Sequence, residues 1–389
     1  MSDIKKETVE EKVEDVSISN PDVVTKYKTA ADISNRVLKK VIEAAVDGAN
    51  ILELCTLGDK LIEEEVKKVY TKGKLPKGVG FPTCISPNNI VCHFSPLPSD
   101  PEAAHTLKTG DMVKIQLGAQ VDGYAAIAGH TIVIGSSKDT PVTGKQADVM
   151  QAAHLAAEAA VRIIKAGNKN MEVTETVQKI TDAFGTKAVE GMLSYQQERN
   201  VLDGKKQIIL NPSESQRQSF ERVEFLENEV YVVDILVSSG DGKSKQSESR
   251  TTIYKKTSST YQLKMKASRA AYSEIATKFG GYPFALRSME DEKKARMGIV
   301  ECANRGLVQP FDVYSEKEGE FVAQYVFTVL LMPSGPLKIT NSLFDAEVVK
   351  SEKSVQDEEV LKLLATSVRN KKKNKKKAAA GEAAPAESN

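Results

Sequence analysis

Four histidines, four cysteines and a run of lysines are the residues that could carry chemistry in this 389-residue chain. Cys55, Cys84, Cys92 and Cys302 form no C-x-x-C pair, and so few cysteines in so long a chain predict no disulfide framework. That usage suits a reducing, intracellular setting. Cys92 and His93 are the residue types of a thiol nucleophile and its base, but on an extended segment neighbouring side chains diverge. His130 and His154 are isolated and read as structural, and no zinc-finger spacing occurs. Gly118, Gly123 and Gly129 fall on a hairpin and do not compose a phosphate loop ahead of a helix. The densest cluster is basic. Arg369, Lys371, Lys372, Lys373, Lys375, Lys376 and Lys377 place seven positive charges in one short run. Such a run neutralises phosphates and releases counterions, reading charge rather than bases. It suits a nuclear localisation signal equally well.

The formal net charge of +1 hides an uneven distribution. Residues 1–20 hold three basic and six acidic side chains, and residues 369–389 hold seven basic and two acidic. Between them, Pro21–Val368 carries 44 basic against 45 acidic. A neutral body with an acidic arm and a basic tail excludes a uniformly basic binding surface and leaves local patches. A hydrophobic fraction of 40% supports a sizeable core. No apolar run approaches the ~18 residues of a membrane span, and the polar N-terminus is not expected to be a signal peptide.

Elements must position any site. Ser19-Asn20-Pro21-Asp22 signals a helix start, and Val23, Val24, Tyr27, Ile33, Val37, Leu38, Val41 and Ile42 follow at helical spacing. A second helix is predicted from a Thr56 cap to Val69. Strands are predicted over 112–117 and 124–134, joined at Asp122-Gly123, then over 229–237, 251–254 and 321–331. Helices are predicted over 146–165, 172–184, 261–278, 291–304 and 356–368. Gly48 to Glu53 and Gly167 to Glu172 share a G-x4-E frame, each between a long helix and the next one. This repeat predicts two pseudo-symmetric α/β halves around one cleft. The resulting organisation is a disordered acidic arm (1–20), an α/β body (21–355), a C-terminal helix (356–368) and a disordered lysine-rich tail (369–389).

Two segments carry a family resemblance: FPTCISPNNIVCHFSP from Phe81 to Pro96, and LKTGDMVKIQLG from Leu107 to Gly118, leading into DGYAAI up to Ile127. With VYVVD ending at Asp234 and AQYVFT around Val326, the sequence resembles the methionine aminopeptidases, especially their second type, over roughly Val23 to Leu331. The resemblance implies the pita-bread fold. It also implies a dinuclear metal site built from two Asp, one His and two Glu, activating a water for attack. Here those positions hold Gln116, Ile127, Ser194 or Tyr195, Asp234 and Val326. One shortened carboxylate is left of four, so no metal and no cofactor are expected. The family's substrate-side histidine matches His93, which without metal is expected to serve the cleft wall.

A proliferation-associated, peptidase-like branch is more similar still. It shares VVTKYK at Val23–Lys28, EGMLS at Glu190–Ser194, the degraded ligands and the lysine-rich tail. That likeness implies a monomeric, non-peptidase growth regulator of nucleus and cytoplasm that binds nucleic acid or the ribosome. A preference for curved DNA has a physical basis. Bending 20–30 bp through 40–90° costs about 1–6 kcal/mol, and pre-curved duplex has met that cost beforehand. Lys255, Lys256, Lys264, Lys266 and Arg269 cluster near Tyr254 and Tyr261, after a Gly/Ser/Lys-rich stretch at Ser238–Arg250. This resembles the branch's insertion, about 238–275, and ribosome contact would fall on Lys264, Lys266, Lys293, Lys294 and Arg296. Val360, Leu363 and Leu364 either form a docking helix for protein partners or pack on the body. The cleft is a second candidate surface for protein partners.

Overall fold

The computed structural model describes residues 15–368. The seven tail cations, Arg369, Lys371, Lys372, Lys373, Lys375, Lys376 and Lys377, and the first 14 residues of the acidic arm therefore lie outside the described residues. The end of that arm departs from the expected disorder: Ile18 is buried among Val23, Tyr27, Tyr124, Val230 and Leu330.

Helix α1 (Pro21–Ala44) starts as its sequence dictates. The Asn20 side chain accepts the Asp22 amide at 3.0 Å, and Pro21 sits where a missing N–H is harmless. Helix α2 (Ile51–Lys67) starts earlier than expected, because Asn50 and not Thr56 is the cap, accepting the Glu53 amide at 3.1 Å. Strands β1 (Lys77–Pro87), β2 (Ile90–Cys92), β3 (Met112–Val121) and β4 (Tyr124–Val133) follow. The sequence gives no sign of β1. It is buried continuously from Gly80 to Pro87 and so lacks the alternation of a half-exposed strand. The β3–β4 hairpin turns at Asp122 and Gly123, both at positive φ, as a two-residue loop requires.

The second half repeats this plan. It comprises α3 (Gly144–Ile163), α4 (Asn170–Ala183), β5 (Lys187–Ala188), β6 (Leu193–Gln197), β7 (Gln207–Ile209), α5 (Glu214–Ser219) and β8 (Val230–Ser238). Gly48 and Gly167 both adopt positive φ between consecutive helices, and Glu53 and Glu172 both fall in the first turn of the helix that follows. An excursion then adds β9 (Lys245–Gln246), β10 (Ile253–Lys256), α6 (Lys266–Lys278), β11 (Pro283–Ala285), α7 (Glu292–Asn304), β12 (Val308–Phe311) and β13 (Tyr314–Ser315). The chain returns through β14 (Val322–Met332), β15 (Gly335–Lys338) and α8 (Glu358–Ala365).

A nine-stranded sheet runs β1-β3-β4-β14-β8-β6-β7, with β15 beside β14 and β5 beside β8. The first-half core joins α1 and α2 to β1, β3 and β4 through residues such as Val37, Leu54, Ile85 and Ile115. The second-half core joins α3 and α4 to β8 and β14 through Ala153, Val177, Val233 and Phe327. The halves meet at β4 and β14, where Gly129 pairs with Val326. Two threonines stitch this seam with the same symmetry. Thr131 accepts the Gln324 amide at 2.7 Å and donates to its carbonyl at 2.8 Å; Thr328 accepts the Ile127 amide at 2.9 Å and donates to its carbonyl at 3.0 Å.

The excursion continues past the expected 238–275. The apolar side of α6 (Ala271, Ile275) is buried in a cluster with α7 (Ala295, Ile299, Cys302), the β11-β10-β12 sheet and Leu97 of the first half. Helix α6 starts at Lys266 rather than Tyr261, since the Glu301 carboxylate captures the amides of Lys264 and Met265 at 2.9 and 3.1 Å. In α8, Val360 is buried in the second-half core, and Leu363 and Leu364 pack against it. Of the two alternatives for these residues, Val360, Leu363 and Leu364 pack on the body, while Leu361 of the same segment is exposed.

Candidate functional site

Strand register decides which side chains meet in the cleft. Gln116 on β3 pairs with Gly129 on β4, Gly129 with Val326 on β14, and Val326 with Asp234 on β8. Ile127 stands two residues before Gly129, hence on the same face. Tyr195 on β6 lies opposite Val232, two residues before Asp234. All five positions and His93 line one cavity of about 310 Å³. The structure thus brings together the whole row marked in the sequence. The Ser194 and Tyr195 alternatives are placed differently. Tyr195 lines the cavity, whereas the buried Ser194 hydroxyl accepts the Asp234 amide at 2.9 Å.

Gln324 is the polar residue of this row that sequence reasoning missed. Its Nε2 donates to Asp234 Oδ1 and Oδ2 at 2.9 and 3.0 Å, and approaches Gln116 Oε1 at 3.3 Å. The available signal was its place two residues before Val326 on one strand. Burial pushes the Asp234 carboxyl up to about 7, partly opposed by the Gln324 bond. The row does not fit a metal pair. Two nearby cations need bridging carboxylates, and here one carboxylate faces two amides, a phenol and two alkyl chains. Among the described residues, no group of three His, Cys, Asp or Glu side chains is placed to hold an ion.

Cys92 and His93 depart from the expected divergence. His93 has φ 63°, so the segment is not extended there, and Cys92 Sγ lies 3.4 Å from His93 Nδ1. His93 Nδ1 also meets the Asp312 carbonyl at 3.0 Å. Burial pushes the thiol up and the imidazole down, so a thiolate–imidazolium pair is disfavoured. His130 and His154 are structural as expected: His130 packs edge-on to Tyr325, and His154 stacks on Phe344 at 3.9 Å.

The body cations separate into two groups. Lys255 contradicts its placement on a nucleic-acid surface. It is buried, lines the cleft and is ion-paired with Asp203, because β10 turns it inward. Lys256 lies 5.8 Å from the Tyr272 ring centroid. Arg269 donates to the carbonyls of Leu263 and Lys264, Lys294 pairs with Asp291 at 2.8 Å, and Arg296 donates to Ser99 at 2.6 Å. Lys264, Lys266 and Lys293 are exposed on the α6–α7 face. That face also exposes Met265, Met297 and Val300, and Arg305 stacks 4.8 Å above the Tyr261 ring. The apolar centre escaped sequence reasoning, since only the packing of α7 on α6 shows which of its apolar residues stay outside.

With this geometry in hand, comparison with known proteins is informative. Residues 25–240 match metallopeptidase family M24. A Schizosaccharomyces pombe protein named curved DNA-binding protein is 48% identical over 381 residues, covering 97% of this chain and 99% of its own. Proliferation-associated protein A of Dictyostelium discoideum is 42% identical, covering 93% of each chain. The solved structure of a thermophilic Arx1 superposes with a TM-score of 0.85 at 34% identity, covering 90% of this chain and 100% of that one.

Proposed function

The chain belongs to metallopeptidase family M24, and from that premise we propose that it acts by binding nucleic acid, preferring pre-curved duplex DNA, and not as a peptidase. The observation that carries this reading is the donor set of the cleft: Gln116, Ile127, Tyr195, Asp234 and Val326 stand where a metal pair would need its ligands. Such a donor set would not hold the cations that polarise a carbonyl in catalysis of the family type. The seven tail cations supply sequence-blind charge, and the name of the Schizosaccharomyces pombe relative supports duplex DNA as partner. Recognition would be by phosphate contact and shape. The protein would act as a monomer, in the nucleus with a cytoplasmic pool, the tail doubling as a localisation signal.

A second reading, structured RNA or the ribosome, is favoured by one observation. The α6–α7 face sets unpaired Lys264, Lys266 and Lys293 beside exposed apolar side chains and the Tyr261–Arg305 stack. Unstacked bases use such surfaces, whereas a duplex backbone needs charge alone.

A salt-series titration on curved and straight duplexes, with and without residues 369–389, tests the first reading. Each phosphate contact contributes about 0.9 to the log–log slope, so losing the tail is expected to flatten it by several units. Equal affinity for both duplexes removes the shape preference. Turnover of Met-initiated peptides with stoichiometric bound metal overturns the non-peptidase reading. Charge reversal at Lys264, Lys266 and Lys293 tests the second reading, with loss of ribosome co-sedimentation expected.

A further inference from the structure

Three aspartates line the cleft, and one of them already has a cation. Asp203 is ion-paired with Lys255, and Asp312 accepts the Thr251 hydroxyl at 2.5 Å. Asp234 differs. Both of its side-chain oxygens share a single amide nitrogen of Gln324, and no Lys, Arg or His among the described residues pairs with it. A carboxylate has about four acceptor sites, so most of its capacity stays open toward the cavity. The surrounding wall is aromatic and aliphatic. Phe81, His93 and Phe311 have ring centroids 5.3 to 6.1 Å apart, and Tyr195, Ile127 and Val326 also line it, as does the paired Lys255. His93 Nδ1 is engaged by the Asp312 carbonyl, which leaves Nε2 as an acceptor without a partner among the described residues.

We propose that this cavity binds a small organic ammonium ion, a primary or quaternary amine on a short apolar body, with the Asp234 carboxylate as its counter-charge. The chemistry excludes the alternatives in turn. An anion would meet Asp234, while Lys255, which also lines the cavity, is already paired with Asp203; a bound cation, unlike a neutral ligand, favours the ionised form of the Asp234 carboxyl. A metal ion would find no three His, Cys, Asp or Glu side chains placed together to hold it among the described residues, and Asp203 is already taken by Lys255. An ammonium group needs only acceptors and aromatic faces, and the cavity offers Asp234, His93 Nε2 and the rings. The volume of about 310 Å³ lies at the small end of ligand sites and limits the body to a few carbons or one ring. The inference is independent of nucleic-acid binding, since it uses none of the tail or α6–α7 cations.

Calorimetric titration of the full chain tests it, using benzylamine, tetramethylammonium, the neutral isostere benzyl alcohol and the tripeptide Met-Ala-Ser. Binding of at least one of the two cations is expected, with benzyl alcohol about tenfold or more weaker. Asp234→Asn keeps the side-chain shape and is expected to weaken the cation about tenfold or more while leaving benzyl alcohol unchanged. Four results would each overturn the proposal: alcohol binding as tightly as the bound cation, undiminished cation affinity in Asp234→Asn, no cation binding up to about 10 mM, or binding of the tripeptide alone. The alcohol comparison is made on the unaltered chain, so the test stands even if the variant folds poorly.

Discussion

Asp234 shows how a lost metal site changes the meaning of a residue that remains. In the sheet it keeps its register between Val326 and Ser194, but it has no cationic partner among the described residues. Burial raises its carboxyl from 3.8 to about 7. Between those values the folded chain holds a proton that the unfolded chain has released. The share of stability linked to Asp234 is therefore full below about pH 4 and falls as pH rises toward 7. Asp234→Asn is accordingly expected to stabilise the protein by about 1–3 kcal/mol at pH 8 and to have little effect at pH 4. Urea unfolding of both chains across that range measures the crossing. A gain that is constant with pH would show that ionisation is not the cause.

At the scale of elements, the seam between the halves depends on two hydroxyls. Only one ladder pair, Gly129 with Val326, links β4 to β14, and a Cβ at Gly129 would lie 2.7 Å from the Val326 side chain. Thr131 and Thr328 occupy the gaps on either side and satisfy buried backbone groups of the opposite strand. Replacing either with Val keeps the shape and strands those groups, a loss of about 1–3 kcal/mol each by denaturant unfolding, with Ser retaining most of it. Strand β4 and helix α3 contribute a second, pH-dependent effect through one histidine each. Burial pushes His130 down to about 3 and His154 down to about 4. Both are neutral in the fold and protonate more readily once unfolded. Their stabilising share is complete above about pH 6.5 and is lost as pH falls toward 4. His154→Phe preserves the stack on Phe344, and the melting temperature is expected to fall less steeply between pH 6.5 and 4.5 than in the parent chain.

At the scale of the whole molecule, the excursion between β8 and β14 is held to the first half by a buried cluster. Arg287 pairs with Asp59, donates to the Thr83 carbonyl at 3.2 Å and reaches Ser95, while Thr252 donates to the Ser95 carbonyl at 2.6 Å. Arg250 adds an ion pair to Asp100 at 2.7 Å. Arg287→Ala leaves Asp59 buried without its cation, and a loss of about 3–5 kcal/mol is expected. Hydrogen exchange should rise first in α6, β11 and α7, because apart from Leu97 their remaining core comes from the excursion itself. Uniform exchange across both halves would show that the excursion does not unfold separately.

The sequence by itself determined the two-half plan, the absence of four of the five family ligands and the basic tail. Each of these follows from residue identity and spacing, whether a glycine three residues before a helix or a Val where a Glu is needed. Continuously buried β1 stayed illegible, since a strand covered on both faces has no period-two pattern. The α2 cap was misplaced because Asn50 and Thr56 are both competent caps, and tertiary pairing of Asn50 with Thr106 favours the earlier start. Only the tertiary structure decided that Lys255 points inward, that His93 bends back to Cys92 and that Gln324 holds Asp234. Those outcomes depend on strand register and backbone handedness. Both are set by contacts between residues distant along the chain, and local residue order does not specify them.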